Sequence, residues 1–201
     1  MNRKQFVRTL IAAAAVITTA SAMAQAWPAR PVRMVIPFPP GGTLDMVGRT
    51  LAQKLTEQTG QTFFVENKAG GQGMIGADVV AKATADGYTL LFNASTFTTT
   101  PMVVKSAPYD VVRDFTPIAM TAKAPLSIAV NKDLPVQDLK GLIAHAKSQP
   151  GKLHFAIGSN GSAGHLATEL LKRATGMELE IVPYKGTGPA MQDLVGGQIQ
   201  G

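Results

Sequence analysis

Two junctions in this sequence have the composition to hold an anion: Pro37–Asp45 and Gly158–His165. Each follows an apolar run, passes through Gly, Ser or Pro, and leads into helical periodicity. The first turn of a helix leaves backbone N–H groups without internal acceptors and carries partial positive charge, so a carboxylate finds donors there. Glycine removes the side chain that would screen those amides. The candidate contacts are Phe38, Pro39, Gly41, Gly42 and Thr43 in the first junction and Ser159, Asn160, Gly161 and Ser162 in the second. Three to five charge-assisted hydrogen bonds of about 1.5–3 kcal/mol, less the ordering cost, reach about 8 kcal/mol, a micromolar affinity.

Three charged or titratable side chains flank these loops. Asp45 suits a cap on its helix or a pin on the first loop, because a carboxylate there complements the dipole. A direct bond to an amino or amide group of a ligand is its alternative role. His165 lies in a first turn, opposite the apolar stripe of its helix, and reads either as solvent-facing or as a donor at the mouth of a cleft. Lys185, in Pro183-Tyr184-Lys185-Gly186, is a candidate cationic partner.

Other chemistry is poorly served. Neither Ser159 nor Ser162 lies in G-x-S-x-G, since Ile157 and Asn160 hold the first-glycine positions, and no catalytic constellation is expected. With no cysteine, and with His145 and His154 lacking ligand-spaced partners, neither a metal nor another cofactor is expected. Gly71-Gln72-Gly73-Met74-Ile75-Gly76 matches G-x-G-x-x-G, but four residues separate it from the preceding strand and no acid closes the next one. It reads as a packing turn.

Composition narrows the class. Hydrophobic residues at 45% and charged residues at 16% describe a chain that folds. Arg3, Lys4 and Arg8 precede the apolar run Leu10–Ala20 and the small residues Ala22-Met23-Ala24, the order of a signal peptide over residues 1–24. Cleavage falls after Ala24 or Ala26, and both the Sec and a twin-arginine-like route stay open. Removing those three cations from the 19 leaves 16 against 13 acids, a net of +3 in place of +6. With no basic stripe, nucleic acid is not an expected partner. No later run approaches the length of a membrane span.

The elements that must position the loops alternate between strand and helix, which predicts an α/β fold with a largely parallel sheet. Strands are expected at 32–36, 62–66, 88–92, 116–120, 126–130, 153–157 and 179–182. Helices are expected from near Asp45 to Gly60, over 74–84, around Leu139–Ala146, from Ala163 to Gly176, and from Pro189 onward. A boundary near 131–136 divides the chain into a first lobe, 25–131, and a partial second lobe, 132–201.

These residues carry a resemblance. Trp27-Pro28, the run Val35–Gly42 with Asp45, Asp86-Gly87-Tyr88-Thr89-Leu90-Leu91, Pro108-Tyr109-Asp110 with Asp114-Phe115, and Pro150-Gly151-Lys152-Leu153 resemble the Bug family. So do Gly161-Ser162 with His165-Leu166-Ala167, Pro183-Tyr184-Lys185-Gly186 and Gly196-Gly197-Gln198. These are periplasmic receptors of tripartite tricarboxylate transporters. The resemblance implies a two-lobed, type II-like "Venus flytrap" whose two loops hold a carboxylate through backbone N–H groups and waters. Ser95 is also among the expected ligand contacts. The resemblance implies di- and tricarboxylates, acidic amino acids or aromatic carboxylates as ligands, and permease subunits of the membrane as partners. Thr43-Leu44 departs from the family's small residue and Thr before the Asp, changing a side chain beside the cleft. Members are longer, so the second lobe is expected to be incomplete, its return to the first missing. Two other readings stay open: a periplasmic sensor subunit that presents ligand to a signalling partner, and a remnant that cannot fold alone.

Overall fold

The structure is a computed structural model that describes residues 27–104 and 106–201. The expected signal peptide lies outside the described residues. Two parallel sheets organise the rest. The first has the order β2-β1-β3, from Val32–Ile36 (β1), Phe63–Asn67 (β2) and Thr89–Leu91 (β3). The second pairs β4, His154–Ile157, with β5, Glu180–Pro183. Helices are α1, Thr43–Thr59; α2, Met74–Ala81; α3, Thr96–Val103; α4, Leu139–Ser148; α5, Ala163–Thr175; and α6, Thr187–Val195.

β1 is central, and its apolar residues fill both sides: Val32, Met34, Val35 and Ile36 are buried. That is the habit of a parallel strand covered on both faces. Ala52 of α1, Phe63 and Phe92 complete the first core, with Leu44, Val47, Leu51 and Leu55 of α1 packed against it. The second core joins Leu142 and Ala146 of α4 to Leu153, Phe155, Met177 and Leu179. Both long helices end as their glycines require. Gly60 and Gly176 adopt φ of 72° and 70°, and their N–H groups return to Thr56 and Lys172.

Three expectations are corrected. Residues 116–120 and 126–130 form no strand, although their alternating apolar residues suit one. A strand exists only against a neighbour, and no described segment pairs with these; Ile118, Met120, Leu126 and Ile128 are exposed. Helix α3 was not expected, because Thr96–Val103 has no apolar period and contains Pro101. The apolar stripe of α5 is only partly covered: a two-stranded sheet is narrow, so Leu171 packs on the second core while Leu166 and Leu170 stay exposed. The last residues lie along the free edge of β4, where Gln200 N–H donates to His154 O and Ala156 N–H to Gly201 O.

The glycine-rich turn before α2 packs under the first loop. A Cβ at Gly76 would lie 2.7 Å from Pro37 Cβ, 2.8 Å from Pro37 Cα and 2.9 Å from the Lys68 carbonyl oxygen. Two of these are backbone atoms, so the neighbours cannot move aside cheaply. Alanine in a helix is worth about 1 kcal/mol over glycine, whereas overpacking costs about 1–3 kcal/mol. Gly76→Ala is therefore expected to lower the urea midpoint at unchanged slope; a raised midpoint would show the contact of α2 with Pro37 and Lys68 to be loose.

Candidate functional site

Parallel sheets place ligands beyond the C-terminal ends of their strands. The loop after β1 and the loop after β4 both stand there; the starts of α1 and α6 meet, and α5 begins at the end of the second loop. α1 begins after Gly42 and α6 after Gly186, and neither glycine has a side chain to cap the helix. α5 has its own cap: Ser162 Oγ accepts from the His165 N–H at 3.2 Å.

The first loop is held by a buried acid. Asp45 is 5% exposed. Its Oδ2 accepts from the Gly41 N–H at 3.0 Å and from Arg49 Nε at 2.9 Å, and its Oδ1 accepts from Asn67 Nδ2 at 2.9 Å. Asn67 Nδ2 also donates to the Phe38 carbonyl at 3.0 Å. Asp45 is thus a pin on the loop and not the N-cap, and it occupies the Gly41 amide. Burial pushes the Asp45 carboxyl up, but the bonds from Arg49, Gly41 and Asn67 outweigh that and hold it below the usual carboxylate range.

The second loop is held in a parallel manner. The Gly161 N–H donates to His165 Nδ1 at 3.0 Å. His165 is therefore neither purely solvent-facing nor a donor through that nitrogen; it is half-buried and accepts. The Gly161 carbonyl takes the Thr99 hydroxyl at 2.6 Å. Ser159 Oγ and Thr100 Oγ1 are both buried with no hydrogen-bond partner in the protein.

The loops meet through Thr187. Its Oγ1 accepts from the Thr43 N–H at 3.3 Å. The same oxygen lies 3.1 Å from where a Cβ on Gly42 would stand, and its Cγ2 lies 3.4 Å from that position on Gly158. Gly186 packs against Pro39, and Gly188 against the Gly41 backbone. Glycines here allow two backbones to approach.

The expected residues divide accordingly. Gly42 and Thr43 touch Thr187 at the α6 start, whereas Gly161 lies against Thr99 and Val103 of α3, with Ser162 and His165 closing the same loop and Ser159 buried within it. Phe38 is drawn away, its ring against Gly73. Ser95, Asn160 and Lys185 are exposed at the loop tips. Leu44 packs on the first core, so the Thr43-Leu44 departure falls on packing and not on a side chain beside the cleft. Sequence reasoning missed Asn67, Thr99, Thr100 and Thr187. Asn67 alone had a signal, as the last residue of the strand beside β1, in register with Ile36. Among the described residues, no cluster of three or more His, Cys, Asp or Glu could hold a metal.

A carboxyl with a lowered folded pKa stabilises the fold above its unfolded value and loses that contribution as pH falls through the folded one. Asp45→Asn is expected to cost about 1–3 kcal/mol near neutral pH. The gap to wild type should narrow below about pH 4, as followed by denaturant unfolding across pH. A gap that stays constant on acidification would remove Asp45 from this role.

Residues 47–201 match the family described as "Tripartite tricarboxylate transporter family receptor". Protein BugT of Bordetella pertussis is 44% identical over 181 residues, which are 88% of this chain and 55% of that protein. A Pseudomonas protein from the tcbD–tcbE intergenic region is 40% identical over 96% of this chain and 58% of its own length. Among solved structures, Rpa4515 of R. palustris, determined with adipate, superposes with a TM-score of 0.85 at 42% identity, covering 87% of this chain and 58% of that one. The periplasmic binding protein BugD gives 0.81 at 40% identity over the same shares. The chain therefore spans a little over half the length of these relatives. Its two parallel sheets are those of a periplasmic binding protein, with the second lobe present in part. The chain belongs to the tripartite tricarboxylate transporter receptor family.

Proposed function

We propose that this chain captures a small dicarboxylate in the periplasm and presents it to the membrane permease of a tripartite transporter, without chemical change. Residues 1–24 act as its export signal, residues 25–131 form the first lobe and 132–201 the described part of the second. The observation that carries the reading is the meeting of the α1 and α6 starts, whose N-cap glycines have no side chain and which are joined through the Thr43 N–H to Thr187 Oγ1 bond. First-turn amides there have no helical acceptor, and their partial positive charge suits a carboxylate. The buried, unpartnered hydroxyls of Ser159 and Thr100 point the same way, since buried polar groups are ordinarily satisfied. Asp45 is neutralised by Arg49 and does not repel an anion at the gap.

The dicarboxylate class comes from relatives. Rpa4515 was determined with adipate, and MatC of Rhodopseudomonas palustris, 32% identical with a TM-score of 0.75, with bound malate. No helix among the described residues is long and apolar enough to cross a membrane.

Calorimetric titration with adipate, malate, succinate and citrate tests the reading. A micromolar ligand at a hundred times its Kd adds about 2.7 kcal/mol of stability, visible as a raised melting temperature. No heat and no shift with any of these acids would refute it. Gly161→Asp places a like charge at the second loop and is expected to bind at least about ten-fold more weakly than Gly161→Asn, which has the same shape without the charge. Equal affinities for the two variants would move the anion elsewhere.

A further inference from the structure

Thr99 touches the second loop from the opposite side of the gap, and the ligand reading does not use it. Its Oγ1 lies 2.6 Å from the Gly161 carbonyl oxygen and 3.1 Å from that of Ser95, the N-cap of α3 one turn back. A threonine hydroxyl has one hydrogen to give. The nearer Gly161 oxygen takes it, and the Ser95 oxygen is not left empty, because it accepts the N–H groups of Thr98 and Thr99. If the loop withdraws, the hydroxyl falls back on Ser95, the usual bond of a helical threonine to the carbonyl four residues before it. The hydroxyl therefore has a partner whether the two sheets are together or apart, and opening strands no donor on α3.

Other contacts concentrate on the same glycine. Val103, one turn further along α3, would lie 2.9 Å from a Cβ on residue 161, and Gly161 holds φ of +73°. The loop thus meets α3 at a point that both backbone conformation and approach reserve for glycine. Gly161 is gripped from both sides: its carbonyl by Thr99 of the first sheet's unit, its N–H by His165 of α5. Moving either grip moves the segment that carries Ser159 and Ser162.

We propose that Thr99 is the closing latch of the gap, a positioning residue whose hydroxyl exchanges the Ser95 oxygen for that of Gly161 and so couples the approach of the two lobes to the shape of the second loop. Its effect on affinity rests on the carboxylate reading above, while the latch itself can be read without ligand.

The sequence has no cysteine, so Gln53→Cys on α1 and Arg173→Cys on α5 carry a pair of spin labels at exposed sites outside both loops. In the ligand-free 201-residue chain, Thr99→Val keeps the shape, removes the hydroxyl, and is expected to lengthen and broaden the distance between labels. Thr99→Ser is expected to keep the wild-type distribution. With adipate as the probe, valine should weaken binding about ten-fold and serine by no more than about two-fold. If valine disturbs the helical circular dichroism, Thr99→Ala carries the same comparison. Wild-type distances in the hydroxyl-less variant, or a serine variant as open as valine, would overturn the latch. Failure of the wild type to bind adipate would count against the carboxylate reading, with the ligand-free distances still deciding the latch.

Discussion

Each loop satisfies its own glycine amide with a side chain four residues further on: Gly41 donates to Asp45, and Gly161 to His165. This constraint determines which donors are left. Both glycine turns are closed by internal acceptors, which leaves the first-turn amides of the helices that follow as the donors of the proposed site. The two acceptors differ in charge but not in effect. Asp45 is ionised and paired with Arg49, and the imidazole nitrogen of His165 must be unprotonated to accept. Neither loop therefore sets a net charge of its own against the partial positive charge of the helix starts. Asn67 extends the scheme by tying the Phe38 carbonyl to Asp45, so the loop after β1 is braced from the end of β2. The site's shape follows from buried polar bonds that leave little play.

Much of this was legible in the residues, where the local rule and the global packing agree. β1 reads as a buried strand because it is one on both faces, and Gly60 and Gly176 read as stops because the helices end in left-handed glycine. Gly71–Gly76 reads as a packing turn because it lacks its acidic partner, and Gly73 and Gly76 do lie against Phe38 and Pro37. What escaped depends on partners far apart in sequence. The alternation at 116–130 is a strand pattern, but pattern does not supply a neighbour. α3 is a helix of threonines stabilised by position: its Thr98 hydroxyl returns to the Ser95 carbonyl, its Thr99 hydroxyl reaches Gly161, and Phe97 stacks on Tyr109. Thr99 and Thr187 matter only because the fold sets one against Gly161 and the other against Gly42.

The motifs that carried the family resemblance separate by position along the first sheet. Trp27 packs on Phe63 and Tyr88, Gly87 makes room for the Trp27 ring, and Arg30 lies over Tyr88 while pairing with Asp86. That group clasps the edge where the strands begin, and its work is packing. Asp110 and Asp114 close a turn on themselves, with Asp110 Oδ1 accepting from Val112 and Arg113 and Asp114 Oδ2 from Asp110. The loops of the proposed site lie at the other edge, after β1 and β4 and before α6.

Backbone donors recognise a carboxylate without regard to what it is attached to, so they explain capture and not choice. Selectivity must come from side chains reaching past the helix starts, and the structure limits which these are. Phe38 is committed to Gly73, Leu44 to the first core, and Asp45 to its pins. Ser95, Asn160 and Lys185 remain at exposed tips, with Thr187 between the loops. Hydroxyl and amide groups discriminate by whether a ligand's far end can pair with them, since an unpaired buried partner costs about 1–3 kcal/mol. A chain that grips one carboxylate by its main chain can therefore change its preferred acid by exchanging few side chains, leaving the buried network around Asp45 untouched.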